Sequence, residues 1–304
     1  MNILTTAPTP PERLPYSAII DRAPLPRPDN ARIIIWPVVN VEHWDIGRPM
    51  ARQVLPAPTG AAPLPDVPNW AWHEYGMRVG FWRLKALFDQ FGITPTLSIN
   101  GKVCESYPRV AQAARDSGWE FMGHGYTQMP THLVEDQVAM IGKTIDAIKA
   151  FTGRGPVGWL GPGLTETLET VDFLHAAGIR YIGDWVLDDE PCRLKTATGA
   201  MVAMPYSVEL NDIPIMAVQH HRSEELLVRI RDSFDQLYAE GEDRVRVMAI
   251  AVHPFLSGAP HRIRYFKEAL KYISSHDGVR FMTGEQILAW YEQVNPHTAE
   301  SAGR

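Results

Sequence analysis

The sequence predicts an α/β protein whose parallel strands curl into a closed or nearly closed barrel. From residue 32 onward, short apolar runs rich in Ile and Val alternate with stretches of helical period. Alternation of this kind is typical of βαβ units, in which successive strands are parallel and helices cover the sheet. With 304 residues and 45% hydrophobic content, the chain is long enough to bury such a barrel as one domain.

The first half of the pattern contains three predicted strands, in the segments IIIWPVVN, TPTLSIN and WEFMGHG. The helices predicted beside them are RVGFWRLKALFDQFG, PRVAQAARDSG and LVEDQVAMIGKTIDAIKAFTG. The second half continues with strands in VGWL, IRYIGD, MVAMP, VRVMAIAVHP and VRFM. Its helices are ETLETVDFLHAAG, the segment 223–240, HRIRYFKEALKYISSH and GEQILAWYEQV.

The barrel is predicted to occupy residues 31–293, with an arm before it and a tail after it. Residues 1–30 are rich in proline, which fixes φ and removes amide donors, so they predict an extended arm. Residues 294–304 are small and polar and predict a flexible tail. Residues 47–72 are dense in Pro, Gly and Ala and predict either a loop that covers the site or a disordered surface insertion.

Charge and cysteine content exclude several classes of protein. The formal net charge is −6 and the acidic residues are spread along the chain, which argues against a nucleic-acid or membrane surface and favours small-molecule partners or other subunits. Cys104 and Cys192 lie far from any second Cys or His, so no disulfide framework or thiolate zinc site is expected. The N-terminus lacks the features of a secretory signal, and no apolar run is long enough to cross a bilayer, so we expect a cytoplasmic protein.

Polar and conformationally special residues follow the predicted strands at their carboxyl ends. In a parallel barrel these ends meet at one rim, where the following loops present reactive side chains. Such positions occur after five strands: Asn40 and Glu42, His124, Gly161 and Pro162, Asp184 and Trp185, and His253 and Pro254. The sequence therefore predicts a functional site at this rim.

Glu42, His124 and His253 are the candidate catalytic residues. Glu42 is interpreted as a metal ligand or a proton-transfer base, or else as a solvated loop carboxylate. His124 lies between two glycines that permit close approach of a ligand, although a core histidine is the alternative. His253 ends an apolar strand, where a core histidine is again the alternative.

The remaining polar residues also have a structural interpretation. Asp184 either contributes to the site or caps the segment that follows it. His220 and His221 are adjacent, so on a strand they point to opposite faces and at most one of them reaches the pocket.

Several separated motifs, in order along residues 32–291, resemble the polysaccharide deacetylase superfamily. Its aspartate-pair motif corresponds to Asn40 and Glu42 in VVNVEHW. Its histidine motif corresponds to His124 and Gln128 in HGYTQ, and its late histidine to His253 in AVHP. The stretches EYGMRVGFWRL, SVELND and DQLYAEG are similar to the branch that contains cofactor-independent allantoinase and intracellular peptidoglycan-deacetylase-like proteins. The resemblance implies a distorted (β/α) barrel of the polysaccharide deacetylase type with about seven parallel strands.

The resemblance also implies a hydrolase of carbon–nitrogen bonds other than peptide bonds. In metal-dependent members an aspartate activates a metal-bound water, but Asn40 occupies that position and cannot serve as a base. The implied metal ligands are Glu42, His124 and Gln128, and the amide of Gln128 is a weak replacement for an imidazole because zinc favours nitrogen and sulfur. We therefore expect that no cofactor is required, with a weakly held divalent metal, zinc, as the alternative.

The favoured hypothesis is an allantoinase-like amidohydrolase that opens a small amide, cyclic imide or ureide by acid–base catalysis. Glu42 accepts a proton from the attacking water, His124 positions the water or polarises the carbonyl, and His253 protonates the departing nitrogen. Arg78 neutralises an anionic substrate or product, or pairs with Glu74 on the surface. The predicted substrate-binding residues are Asn40, Glu74, Arg78, Trp82, Asp184 and Trp185.

Two other functions stay open at the level of the sequence. One is metal-dependent removal of acetyl groups from a polysaccharide or peptidoglycan, and the other is a non-catalytic relative that binds a small ligand. The branch also implies a homo-oligomer, either a dimer or a tetramer.

Overall fold

The computed structural model of the chain describes residues 7–57 and 59–296, and one sheet organises the fold. In this part of the chain the sheet has nine strands. They are β1 (Ile33–Val41), β2 (Thr96–Ile99), β3 (Glu120–Gly123), β4 (Gly158–Trp159), β5 (Tyr181–Ile182), β6 (Cys192–Thr196), β7 (Gly199–Ala203), β8 (Arg246–Val252) and β9 (Val279–Phe281).

The order of strands in the sheet is β6-β7-β5-β4-β3-β2-β1-β8, and β9 pairs with β1. Every pairing is parallel except that of β6 with β7, so eight strands run parallel to a neighbour. The sheet curls into a half-barrel, which confirms the predicted α/β barrel class. The antiparallel hairpin of β6 and β7 was not expected from the sequence, because only its second strand forms a recognisable apolar run.

Ten α-helices and two π-helical turns accompany the strands in the described ranges. The helices are α1 (Pro10–Arg13), α2 (Val67–Tyr75), α3 (Phe81–Phe91), α4 (Val103–Ser106), α5 (Pro108–Asp116), α6 (Gln137–Thr152), α7 (Thr170–Ala176), α8 (Glu225–Glu240), α9 (Ile263–Ser274) and α10 (Gly284–Val294). The π-helical turns are Gly76–Gly80 and Ile213–Val218, and short 3-10 turns are Ile19–Asp21, Pro28–Asn30, Thr131–Leu133 and Pro162–Leu164.

Side-chain capping explains where several helices begin and end. Helix α6 begins after Asp136, whose carboxylate accepts a hydrogen bond from the amide of Ala139 at 2.9 Å. Helix α10 begins after Thr283, which forms a capping box with Gln286. Helix α3 ends at Gly92, which adopts a left-handed conformation that closes the last turn. These local signals agree with the helical segments expected from the sequence.

The alternation of side chains along the strands divides the core into two layers. On β1, Ile33 and Ile35 pack under the outer helices, whereas Ile34 and Trp36 point into the barrel interior. The same alternation holds on β8, where Ala249 and Ala251 face the interior. The same alternation continues past the ends of the strands. The polar residues that follow therefore lie on the interior side of the rim. The pleat of the strands therefore positions the site.

The N-terminal arm packs against the barrel through Arg13. The side chain of Arg13 is buried, binds both carboxylate oxygens of Asp172 at 2.9 and 2.6 Å, and also donates to the carbonyl of Leu168. The division into arm 1–30, barrel 31–293 and tail 294–304 stays a prediction, and residues 297–304 of that tail lie outside the described residues. Over the ranges given above, no helix combines the length and the apolar character needed to cross a membrane.

Candidate active site

The barrel interior opens at the carboxyl ends of the strands into a cavity of about 360 Å³. This volume is within the range of sites for small ligands. Five polar residues that the sequence motifs singled out line it: Asn40, Glu42, His124, Gln128 and His253. They come from the ends of β1, β3 and β8 and from the loop after β3, so strands distant in sequence bring them together.

Glu42 lies between the two histidines. Its Oε1 atom is 3.7 Å from Nε2 of His124 and 3.5 Å from Nε2 of His253, while its Oε2 atom accepts a hydrogen bond from the indole of Trp44 at 2.9 Å. Burial by itself raises the pKa of Glu42, but its interactions with the two histidines outweigh burial and hold the pKa well below its usual range. Glu42 is therefore a carboxylate at neutral pH.

His253 is held by Asp212, which is completely buried. Nδ1 of His253 donates to Asp212 at 2.6 Å, and the carboxylate also accepts from the backbone amide of His253 at 2.8 Å and from the hydroxyl of Ser257 at 2.6 Å. Burial lowers the pKa of His253, but the charge and hydrogen bond of Asp212, with a further contribution from Glu42, raise it to about 10. At neutral pH His253 is an imidazolium whose Nε2–H points towards Glu42.

The tautomer of His124 follows from its second hydrogen bond. Its Nδ1 lies 2.5 Å from the carbonyl oxygen of Leu160. Because a carbonyl oxygen only accepts, Nδ1 carries the proton, and in the neutral ring Nε2 has a free lone pair. That lone pair and Oε1 of Glu42 are two acceptors separated by 3.7 Å at the same side of the cavity. Such an arrangement suits a water molecule that donates one hydrogen to each.

The residues at the site do not fit a tightly held zinc ion. Gln128, the third implied ligand, offers only an amide, and its oxygen already accepts a hydrogen bond from Asn100 at 3.2 Å. Among residues 7–57 and 59–296, no three His, Cys, Asp or Glu side chains are arranged to hold a metal. Zinc sites in proteins use three or four strong nitrogen, sulfur or carboxylate donors, and here Glu42 and His124 are the two that remain.

Asn40 occupies the wall of the cavity beside Tyr206 and Asn211. It is 2% exposed, and within the described residues its amide nitrogen has no hydrogen-bond partner. The phenol of Tyr206 accepts a hydrogen bond from the amide of Asn211 at 3.3 Å. A buried amide donor without a partner costs free energy, so Asn40 is suited to bind a polar atom of a ligand.

Five of the six predicted substrate-binding residues lie outside this cavity, and three of these five belong to the segment from α2 to α3. Glu74 accepts a hydrogen bond from the phenol of Tyr107, and Glu74 and Arg78 border a separate surface pocket. Trp82 is 38% exposed and packs against the ring of Phe81. The reason is helical geometry: the face of this segment that meets the barrel carries small residues, so its long polar side chains point outward.

Asp184 and Trp185 lie behind the cavity wall and not inside it. Both carboxylate oxygens of Asp184 accept from the backbone amide of Gly161, at 2.7 and 2.9 Å, and the indole of Trp185 donates to Glu166. Burial, followed by the nearby charge of Glu166, raises the pKa of Asp184 well above its usual range. Asp184 thus supports the loop that forms one wall. His220 and His221 are both exposed and do not line the cavity.

Two residues at the site were not assigned roles from the sequence. Asp212 is 41 positions away from His253, and no local spacing links them, although SVELND places an acidic residue just before a helical turn. Trp44, whose indole donates to Glu42, is the other. The signal that could have identified Asp212 is the short apolar segment around it, in which a carboxylate requires a partner.

The fold and the site together define a class of protein. A carboxylate lies between two histidines at the rim of a (β/α) barrel, and a buried aspartate stabilises the charged form of one of these histidines. This arrangement defines a barrel protein whose rim is suited to acid–base chemistry.

Comparison with known proteins agrees with this class. Residues 73–182 match the polysaccharide deacetylase family. A Schizosaccharomyces pombe protein that bears the polysaccharide deacetylase name is 28% identical over 302 residues, which cover 90% of this chain and 94% of the relative. A peptidoglycan deacetylase from Helicobacter pylori is 24% identical over 255 residues, or 72% and 85% of the two chains. The crystal structure of PuuE allantoinase has a TM-score of 0.82 and 26% identity, covering 91% and 96%.

Residues 73–182 thus carry a polysaccharide deacetylase match, and the relatives and solved structures are consistent with the superfamily resemblance that the motifs predicted. The predicted barrel fold is confirmed, and the similarity to deacetylases and an allantoinase implies a hydrolase that acts on carbon–nitrogen bonds.

Proposed function

We propose that this protein is an amidohydrolase that opens a small amide, cyclic imide or ureide ring by acid–base catalysis, without a resident zinc ion. The observation that carries the proposal is the position of Glu42 between His124 and His253, the second of which has a raised pKa. The similarity to PuuE allantoinase over 91% of the chain supports the same substrate class. The lack of a third strong ligand supports the proposed independence from zinc.

The proposed reaction uses each group once. A water molecule held by Glu42 and His124 attacks the carbonyl carbon; its oxygen forms the new C–O bond, and its proton passes to Glu42. The carbonyl π electrons move to oxygen, where Asn40 donates a hydrogen bond. When the tetrahedral intermediate collapses, the C–N bond breaks and Nε2 of His253 gives its proton to the departing nitrogen.

The proton balance closes within the pair of Glu42 and His253. After His253 has given its proton to the departing nitrogen, Glu42 holds the one proton that the pair shares. The proton that it takes from water returns to His253 across the 3.5 Å between Oε1 and Nε2. The net change is the addition of water across a carbon–nitrogen bond, which yields a carboxylic acid and an amine or urea nitrogen; the acid then releases its remaining proton to solvent.

A test of this function is a substrate panel of allantoin, hydantoins, cyclic imides and N-acetylated sugars, assayed with and without a chelator, together with metal analysis of the purified protein. We expect turnover of a ring substrate that survives chelation. We also expect Glu42→Gln to lower kcat by about 10²- to 10⁴-fold, because general acid–base groups contribute roughly this much. Retained turnover in Glu42→Gln, with the fold verified by circular dichroism, would contradict the proposal.

A metal-dependent N-deacetylase is the second candidate, and the similarity to the Helicobacter pylori peptidoglycan deacetylase favours it. Stoichiometric zinc in the purified protein, with deacetylation of an N-acetylated sugar that is lost on chelation, would establish this candidate in place of the first.

A further inference from the structure

The catalytic cavity contains a cationic side chain that the proposed chemistry does not use. Among the described residues that line the cavity, Arg52 is the single Lys or Arg. It comes from the linker 47–72, which the sequence predicted as a covering loop, and it is half-buried at the wall beside Ala51 and Trp44. Arg78, for which the sequence left open either an anionic substrate or a pair with Glu74, lies in a different pocket.

Arg52 differs from its neighbour Arg48 in its partners. Arg48 is largely exposed and pairs with Asp45 at 3.7 Å. Within residues 7–57 and 59–296, Arg52 has no such ion pair. A guanidinium that is half-buried and lacks a carboxylate partner is suited to bind an anion, since its planar fork matches two carboxylate oxygens.

The remaining walls of the cavity provide no other place for a negative charge. Many of the residues that line the cavity are apolar or glycine, and they come mainly from the loop after β4 and the π-helical turn at Ile213–Val218. Near the reacting atoms, the two carboxylates of Glu42 and Asp212 exceed the single positive charge of His253. A substrate anion is therefore repelled from the catalytic end of the cavity and attracted towards Arg52.

We propose that Arg52 is a specificity-determining residue that selects substrates with a carboxylate attached to the ring that is opened. This proposal rests on the proposed amidohydrolase function and narrows its substrate class to small acidic imides or ureides. The carboxylate binds the guanidinium of Arg52, and the ring then lies with its C–N bond towards Glu42 and His253.

The test uses two ring substrates of nearly equal shape, hydantoin-5-acetate and hydantoin-5-acetamide, of which only the first carries a negative charge. The wild-type protein is compared with Arg52→Gln, Arg52→Lys and the matched control Arg48→Gln from the same loop. The quantity measured is the ratio of kcat/KM for the acid to kcat/KM for the amide. Its dependence on ionic strength is measured as well, because salt weakens a charge interaction near the surface.

We expect the ratio to fall about tenfold in Arg52→Gln, chiefly through a higher KM for the acid, as for loss of one charge-assisted hydrogen-bonded pair. Arg52→Lys keeps the positive charge but lacks the planar guanidinium, so we expect an intermediate ratio. Arg48→Gln is expected to keep the wild-type ratio. If Arg52→Gln still hydrolyses both rings with an unchanged ratio, the proposed role of Arg52 is overturned and the proposed amidohydrolase function is not. Failure of the wild-type protein to bind or hydrolyse either ring, or any member of the substrate panel, overturns the proposed function and this proposal with it.

Discussion

Asp212 sets the charge of His253, and this pair is the most specific feature of the site at the scale of single residues. Three donors from His253 and Ser257 hold the carboxylate within 2.8 Å, so the imidazole ring is fixed in one orientation. A histidine with its pKa raised to about 10 remains protonated across the physiological range and is ready to protonate a departing nitrogen.

Replacement of Asp212 by Asn is expected to move the basic limb of the pH–rate profile to lower pH, because the negative charge that raises the pKa of His253 is lost. The measurement is kcat/KM between pH 6 and pH 10.5. The control is Ser257→Ala, which removes one hydrogen bond to Asp212 and leaves the charge in place. A basic limb that stays in place in Asp212→Asn would contradict the role assigned to the aspartate.

The pair of Glu42 and His253 also predicts how stability depends on pH. Because the pKa of His253 is raised to about 10, its contribution to the free energy of unfolding is complete below the unfolded pKa of about 6.5 and is lost as the pH rises through 10. The pKa of Glu42 is lowered, so its contribution is present above about pH 4.3 and is lost in acid.

We therefore expect the wild-type free energy of unfolding to decrease between pH 6.5 and pH 10 more steeply than that of His253→Gln. Urea denaturation at several pH values measures this difference, and comparison with the variant subtracts the other groups that titrate in the range. Equal slopes for the two proteins would show that His253 is not held in its charged form.

At the scale of elements, the segment from α2 to α3 packs its glycines on the turn that carries His253. A Cβ added at Gly80 would lie 1.9 Å from the carbonyl oxygen of Pro254, and one added at Gly76 would lie 2.6 Å from the amide of Phe255. The glycines of the motif EYGMRVGFWRL therefore allow its backbone to approach the backbone of this turn closely. A π-helical turn lies at the contact. Its role at the site is to position His253.

Gly80→Ala is expected to destabilise the protein by about 3 kcal/mol and to lower activity, because the clash is with backbone and the turn at Pro254 must shift. The matched control is Gly142→Ala within α6, where an added Cβ meets nothing within 4 Å. That control should stabilise the helix by about 0.5–1 kcal/mol. Urea denaturation with activity assays checks both, and equal effects at the two positions would refute the packing argument.

At the scale of the whole molecule, the N-terminal arm joins elements that are distant in sequence. Arg13 lies between α7 and β6, where it binds Asp172 and the carbonyls of Leu168 and Lys195. The arm also accepts a hydrogen bond from the indole of Trp290 at the carbonyl of Pro26. Among the whole-molecule properties, the homo-oligomer and the cytoplasmic location stay predictions, which sedimentation and cell fractionation can address.

Arg13→Met is expected to lower the free energy of unfolding by about 2 kcal/mol, since it leaves a partly buried Asp172 without its charge partner. Arg154→Met is the control, because Arg154 forms a similar two-bond pair with Glu285 on the exposed surface. A surface pair contributes roughly 0–1 kcal/mol. Thermal and urea unfolding provide the comparison, and a change in Arg13→Met no larger than that of the control would show that the arm does not anchor there.

The sequence by itself determined the barrel class and the residues at the strand ends. These follow from local rules, because hydrophobic period places strands and helices, and parallel strands bring their carboxyl ends to one rim. Asn40, Glu42, His124 and His253 were all identified in this way, and the structure brings them into one cavity with Gln128.

Tertiary structure decided which side chains face one another. The contact of Asp212 with His253, the supporting position of Asp184, the outward direction of Arg78 and the presence of Arg52 in the cavity depend on how segments far apart in sequence are turned and packed. A motif fixes residue type and spacing along the chain, but the direction of a side chain is set by the long-range packing of its element, which no local pattern encodes.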